Sequence, residues 1–252
     1  MPTTLILGFP VTTLTCSESL DAVWRWLGGG GPPRYMACAN PYSLDVAAKD
    51  AAFAAALREA DLLVPDGVGV LLAGRILGTR FAERVAGMDF FTGLNERANR
   101  EGGVSCFFLG SSEATLAKIG EQMTRNYPAV RVAGTYSPPF KAAFDDADNE
   151  AMIAAINAAA PDVLWVGMTA PKQEKWIHQH RHRLNVKVIG AIGAVFDFFA
   201  GTKARSSEWM CRHGLEWLPR LAREPGRLWR RTVISMPRFL YNVVRHRSAG
   251  MS

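Results

Sequence analysis

Acidic and amide side chains that close short apolar runs are where this sequence could do chemistry. Asp66 ends the run DLLVP and precedes Gly67-Val68-Gly69, which combines a carboxylate with backbone that other groups can approach closely. Such a carboxylate can take a proton from a hydroxyl and act as a general base. The competing role is a cap for a helix starting near Val68, and by position alone that is the commoner use of such an Asp. Asn40 in ANP, Gly110, and the stretches 168–173 and 193–197 also follow apolar runs.

Other chemical patterns have blander readings. Asp146-Ala147-Asp148 has the spacing of two carboxylates that share a divalent metal, but it lies in the polar stretch FDDADNE, where helix capping is commoner. Of His178, His180 and His182, only the first and last share a helix face, and no acid or cysteine completes a metal set, so the cluster reads as a solvated helix end. Gly67-Val68-Gly69 lacks the third glycine of a dinucleotide fingerprint, and no GxxxxGK[ST] is present. Cys16, Cys38, Cys106 and Cys211 form no CxxC pair and read as thiols of a reducing compartment.

The elements that must position these residues alternate along the chain. Apolar runs at 36–39, 61–64, 104–109, 130–133, 163–166 and 186–192 predict strands. Helical patterns lie between them at 43–60, 68–77, from Ser111 or Ser112 to about 126, 148–159 and 171–182. This alternation predicts an α/β, Rossmann-like fold: a mainly parallel sheet with helices on both faces. In such sheets ligands bind beyond the carboxyl ends of the strands, where Asp66, Asn40, Gly110, Thr169, Gln173, Gly193 and Asp197 would all lie.

Charge divides the chain in two. Residues 203–252 carry eleven Lys/Arg against three Glu, so all of the +6 net charge, and more, belongs to this tail. Large apolar residues recur there at near-helical spacing, interrupted by Pro219, Pro225 and Pro237, which predicts two or three short helices. A basic, amphipathic, Trp-containing tail can lie on an anionic membrane or pack its apolar side on the main domain; the sequence does not choose. The predicted division is a core over 1–202 and an appendage over 203–252. The N-terminal apolar run is too short for a signal peptide, and no stretch approaches the roughly 18 apolar residues of a spanning helix, which predicts a cytoplasmic location.

Three segments together carry a resemblance: ANPYSLDVAAKDAAFAAALREADLLVPDGVGV; ERVAGMDFF; and VGMTAPKQEKWI followed by GAIGAVFDFFAGTKARSSEWMCRHGLEWLPRLAREPGRLWRR. From about residue 9 to 231 the chain resembles the WecG/TagA/CpsF family of bacterial glycosyltransferases (glycosyltransferase family 26). The resemblance implies inverting transfer from a UDP-sugar, N-acetylmannosamine or its uronate being favoured, to a polyprenyl-diphosphate-linked saccharide in cell-surface polysaccharide synthesis. UDP-glucose or UDP-galactose as donor for exopolysaccharide is the alternative. It also implies Asp66 as catalytic base, Asn40 beside the sugar, and Gln173 and Arg84 contacting sugar or diphosphate. Asp197 would contact the nucleotide, and Arg220, Arg227 and Arg230 of the appendage would meet the diphosphates.

One departure bears on donor choice: family members often carry Thr two residues before the Asn, and this chain has Cys38, a weaker hydrogen-bonding group. With no convincing metal set, arginine forks are the expected partners of the leaving diphosphate, so no cofactor is expected. The expected partners are the UDP-sugar, the lipid-linked acceptor and the inner face of the cytoplasmic membrane; a homo-oligomer is compatible with the sequence. A nucleic-acid-binding role for the basic tail is the distant rival. The tail's many large aliphatics and the absence of a nucleic-acid motif count against it.

Overall fold

The computed structural model describes residues 1–204, 210, 226 and 234–249. The chain opens with an antiparallel hairpin, β1 (Thr3–Ile6) and β2 (Phe9–Thr12), followed by helix α1 (Cys16–Gly28). Strand β3 (Arg34–Ala39) leads through α2 (Pro41–Ala47) and α3 (Ala51–Arg58) to β4 (Leu62–Pro65), then α4 (Val68–Ile76) and α5 (Gly87–Glu101). Next come β5 (Ser105–Gly110), α6 (Glu113–Asn126), β6 (Arg131–Tyr136), α7 (Asp146–Ala159) and β7 (Val163–Gly167). Helix α8 (Lys172–His180), β8 (Val188–Ala191) and the short α9 (Val195–Phe199) follow, and α10 (Ser235–Ala249) is the last described element. Strands β3 to β8 form a six-stranded sheet in the order β4-β3-β8-β7-β5-β6, parallel at every pairing.

Strand alternation builds two cores. Tyr35, Ala37 and Ala39 of β3, with Leu164 and Val166 of β7, face the side covered by α2, α3, α4, α7, α8 and α10. Met36, Val163 and Trp165 face the opposite side, covered by α1, α5, α6 and α9. Both faces being buried explains why the strands read as continuous apolar runs without a polar alternation. The expected α/β architecture, with helices on both faces, is the one observed.

Local details differ from the sequence expectation for identifiable reasons. The helix expected over 43–60 is two helices, because Asp50 turns its side chain to accept the Phe53 N–H at 3.0 Å and starts α3 afresh. Helix α5 gives a weak sequence signal because it contains Gly87 and Gly93. Gly93 is there for packing: a Cβ on it would lie 2.5 Å from Leu20 of α1. The DxD stretch does cap α7, with Asp145 and Asp148 forming a reciprocal capping box and Lys141 bridging both carboxylates at 2.9 and 2.8 Å. In the tail, Pro237 does not break α10, which runs through it from Ser235 to Ala249.

Trp165 anchors the second core. It is 1% exposed, and the rings of Phe90 and Phe91 meet it edge-on. Its ring lies over Gly190 of β8, where a Cβ would come within 2.4 Å of the indole. Gly190→Ala should therefore force the Trp165–Phe90–Phe91 cluster to shift, at a cost of about 1–3 kcal/mol. A lowered urea midpoint with an unchanged slope would confirm this, and an unchanged midpoint would refute it.

Candidate active site

The carboxyl ends of the six parallel strands point one way, and the candidate residues stand along that edge in strand order. Asp66 follows β4, Asn40 follows β3, Gly193 follows β8, the 168–173 loop follows β7, and Gly110 ends β5. Two backbone bonds carry the ladder past β4: the Asp66 N–H donates to the Ala39 carbonyl at 2.8 Å, and the Val85 N–H to the Pro65 carbonyl at 2.9 Å. These bonds bring the ERVAG segment against the end of β4 and place Arg84 beside it. Gly67, whose φ is 95°, is the N-cap of α4, and no side chain caps the helix. The N-cap position is thus one residue beyond Asp66.

Three further side chains stand at the same edge of the sheet. The Cys38 thiol is pushed well above its ordinary range, first by burial, then by the charges of Asp66 and Glu174. The register puts Cys38 opposite Val64, two residues before Asp66, on the neighbouring strand. Cys38 Sγ packs toward α5, lying 3.6 Å from where a Gly87 Cβ would be. Gln173 and Glu174 are buried in the first turn of α8 and bonded to each other, Gln173 Nε2 donating to Glu174 Oε1 at 2.8 Å. Gln173 also lies against Gly193, which has a φ of 51°.

The sequence reading missed Glu174. It is a buried acid in the first turn of α8, and the signal was present in PKQE, where it follows Gln173 into a helix after β7.

The remaining candidates are placed as follows. Asn40 is the N-cap of α2; its Oδ1 accepts the Ser43 N–H at 2.9 Å, and its own N–H donates to Ser43 Oγ. That leaves the Asn40 amide NH2 as the group it can offer a ligand. Arg84 is 13% exposed at its side chain and stands 3.7 Å from Asp89 in the first turn of α5. Thr169 is exposed, and its carbonyl accepts the Lys172 N–H just after a cis Ala170–Pro171 bond. Gly110, with φ 124°, pairs with Gly167, whose carbonyl oxygen would be 2.5 Å from any Cβ there. Asp197 pairs with Lys203 at 3.4 Å, and its carbonyl accepts from Thr202 and Lys203. Arg220, Arg227 and Arg230 lie outside the described residues.

The last described helix reaches this edge too. Met236 of α10 and Pro41 of α2 both press on Gly69, where a Cβ would fall 2.5 Å from the Met236 sulfur and 2.4 Å from the Pro41 ring. Ser235 and Arg238 bond to the buried Asp45 of α2 at 3.4 and 3.5 Å. Phe239 and Val243 are fully buried in the first core. This face of the tail thus packs on the main domain, while Ile234, Tyr241 and Val244 stay exposed.

No three His, Cys, Asp or Glu side chains group to hold a metal ion among the described residues. His178 Nδ1 stands 3.7 Å from Glu59, and His180 tilts against Trp176. Asp148, the second acid of the DxD, is taken up by the α7 cap and Lys141. What the edge offers instead is two carboxylates, two amides and the side-chain-uncapped N-termini of α4 and α8, whose partial positive charge favours anions.

The proximity of Asp66 to Cys38 has a chemical readout. Cys38 in the folded protein should alkylate far more slowly at pH 8 than in the unfolded chain. Asp66→Asn removes a negative charge that disfavours the thiolate, so it should speed alkylation several-fold. Peptide-resolved mass spectrometry with iodoacetamide measures both, and equal rates in the two folded proteins would place the Asp66 carboxylate elsewhere.

Comparison with known proteins gives a consistent picture. A relative from Bacillus spizizenii, N-acetylglucosaminyldiphosphoundecaprenol N-acetyl-beta-D-mannosaminyltransferase, is 32% identical over 216 residues, covering 86% of this chain and 80% of the relative. The protein of the same name from Bacillus subtilis is 32% identical over 206 residues, covering 82% and 77%. One from Staphylococcus aureus is 26% identical over 213 residues, covering 84% and 80%. The profile of the Glycosyl transferase WecG/TagA/CpsF family matches residues 4–251. A parallel sheet with its acids, amides and uncapped helix ends gathered at one edge is thus the scaffold of a glycosyltransferase, and the chain belongs to the WecG/TagA/CpsF family.

Proposed function

We propose that this chain transfers N-acetylmannosamine, or a closely related hexose, from a UDP-sugar to a polyprenyl-diphosphate-linked N-acetylglucosamine, with inversion at the anomeric carbon. The observation that carries the reading is Asp66, an acid at the carboxyl end of β4 that is not the N-cap of the helix behind it and whose N–H is held by the end of the neighbouring β3. The names of the relatives support the sugar and the lipid-linked acceptor. Exchange of the family's usual Thr for Cys38 leaves UDP-glucose and UDP-galactose as alternative donors.

In this scheme Asp66 accepts the proton of the acceptor hydroxyl while that oxygen attacks the anomeric carbon and UDP departs from the opposite face. One base suffices, since no covalent intermediate is formed. Such general-base help is worth roughly 10²–10⁴-fold in rate. Asn40 offers its amide NH2 to the sugar. The departing diphosphate gains negative charge, which a helix N-terminus answers with only about 0.3–1 kcal/mol. Arg84, and the appendage arginines Arg220, Arg227 and Arg230, supply the rest without a metal in this reading.

The tail brings the site to its substrate. Tyr241 and Val244 are exposed on α10 beside the exposed Arg245, and Ile234 is exposed just before the helix. Basic residues at an anionic surface contribute about 1 kcal/mol each, which suits peripheral binding to the inner face of the cytoplasmic membrane by the 203–252 appendage. None of the described helices is long and apolar enough to span a membrane.

Two measurements test the reading. A donor screen that follows UDP release with a polyprenyl-diphosphate N-acetylglucosamine acceptor should find one preferred UDP-sugar. Asp66→Asn should lower that turnover roughly 10²–10⁴-fold, and unchanged turnover would remove Asp66 as the base. The paired substitution Tyr241→Ser and Val244→Ser should reduce co-sedimentation with anionic vesicles while melting temperature holds, because neither side chain is in the core. Undiminished sedimentation would take α10 out of membrane binding.

A further inference from the structure

The amino ends of the strands, opposite the candidate active site, carry a second gathering of charge. A cavity of about 190 Å³ opens there, between the end of α1 and the starts of β3 and β8. Three cations line it: Arg25 from the last turn of α1, Arg34 from the first position of β3, and Lys187 just before β8. The loop over 29–31 and the ring of Trp26 form more of the wall, and no carboxylate belongs to it among the described residues. The sheet itself fixes this meeting, since the Arg34 N–H donates to the Lys187 carbonyl at 3.1 Å.

The three cations differ in how far their charge is answered. Lys187 Nζ pairs with Asp162 at 2.8 Å. Arg25 has the weak negative pole of its own helix end. Arg34 stacks on Trp26, its guanidinium carbon 5.4 Å from the ring centroid. Neither arginine forms an ion pair among the described residues. A stacked guanidinium keeps its N–H edge free to donate in its own plane, the geometry that phosphate oxygens accept in pairs. Gly30 and Gly31 add N–H groups that donate to no backbone carbonyl among the described residues. Like charges lining one cavity repel each other, and an oxyanion set among them replaces that repulsion with attraction.

The position of the cavity separates it from both the catalytic edge and the membrane helix. Arg34 opens β3 and Asn40 follows its last residue, so the rise of about 3.3 Å per residue puts roughly 20 Å between them. Helix α1 packs on the second core and α10 on the first, so the exposed Tyr241 and Val244 lie across the sheet. Trp26 and Pro32 are the only apolar side chains on the wall, which suits a dissolved anion better than a lipid.

We propose that Arg25, Arg34 and Lys187, with the backbone of the 29–31 loop, bind a soluble diphosphate-type oxyanion at a site separate from the catalytic edge.

The test is calorimetry of the full-length chain with inorganic pyrophosphate at low salt, where surface charge is least screened. Arg25→Gln and Arg34→Gln should each weaken binding about tenfold. Arg25 is exposed, so its variant should keep the wild-type melting temperature and serves if loss of the Trp26 stack unfolds the other. Arg84→Gln, at the opposite end of the sheet, should leave the same binding event in place. Vesicles of phosphatidylglycerol should sediment both cavity variants as they sediment the wild type. Pyrophosphate affinity unchanged in Arg25→Gln and Arg34→Gln, or binding lost instead in Arg84→Gln, would overturn the proposal. So would a wild-type chain that binds no pyrophosphate. Loss of vesicle binding with pyrophosphate affinity unchanged would give the cations to a lipid surface and overturn it as well.

Discussion

Two backbone hydrogen bonds past the end of β4 decide where the candidate site can be. In a parallel pair the residue after a given position donates back to its neighbour, so the Asp66 N–H, and not Pro65, meets the Ala39 carbonyl. Pro65 therefore gives up no bond to β3, and on its other side β4 is the edge of the sheet. The Pro65 carbonyl then accepts from Val85 and ties in the segment bearing Arg84. A carboxylate attached to backbone held this way has its Cα fixed by the sheet itself, so the site inherits the rigidity of the ladder.

Close approach of backbone is the second requirement, and glycines meet it at particular places. Gly69 admits Pro41 and Met236, and through them the contact among α2, α4 and α10. Gly167 lies under the ring of Phe196, with a would-be Cβ 2.3 Å from it, which draws α9 down onto the end of β7. The turn bearing Gly193 and the helix bearing Asp197 are brought to the edge by that contact. Removing side chains at these points lets helices that flank different strands bring their first turns to one place.

Much of this was legible in the sequence. Strands buried on both faces appear as unbroken apolar runs, and the rule that ligands sit beyond parallel carboxyl ends picked out Asp66, Asn40, Gln173 and Gly193 before any coordinates. Other features were hidden because they depend on contacts between distant segments. Helix α5 has a glycine in its middle that only the opposing Leu20 explains, and the break before α3 turns on one aspartate that could equally well have been a solvated helix residue. Glu174 escaped notice because a lone acid in a helical first turn usually answers the helix dipole in water, and only the fold shows it buried and bonded to Gln173. The choice between a cap and a reactive carboxylate at Asp66 could not be made from spacing, since it turns on whether the N-cap of α4 is residue 66 or 67.

The docking of α10 has a consequence for how the protein comes into being. Ser235 bonds to Asp45 across 190 positions of sequence, and Phe239 and Val243 complete the core that Leu44 and Val70 begin. A chain made from its N-terminus therefore exposes the apolar faces of α2 and α4 long before the residues that cover them leave the ribosome. Closing so long a loop is slow, though its entropic cost grows only with the logarithm of its length. The neighbourhood of Asp66 is thus among the last parts of the molecule to be sealed, and a nascent chain stalled short of residue 235 would hold its acid in place beside an open seam.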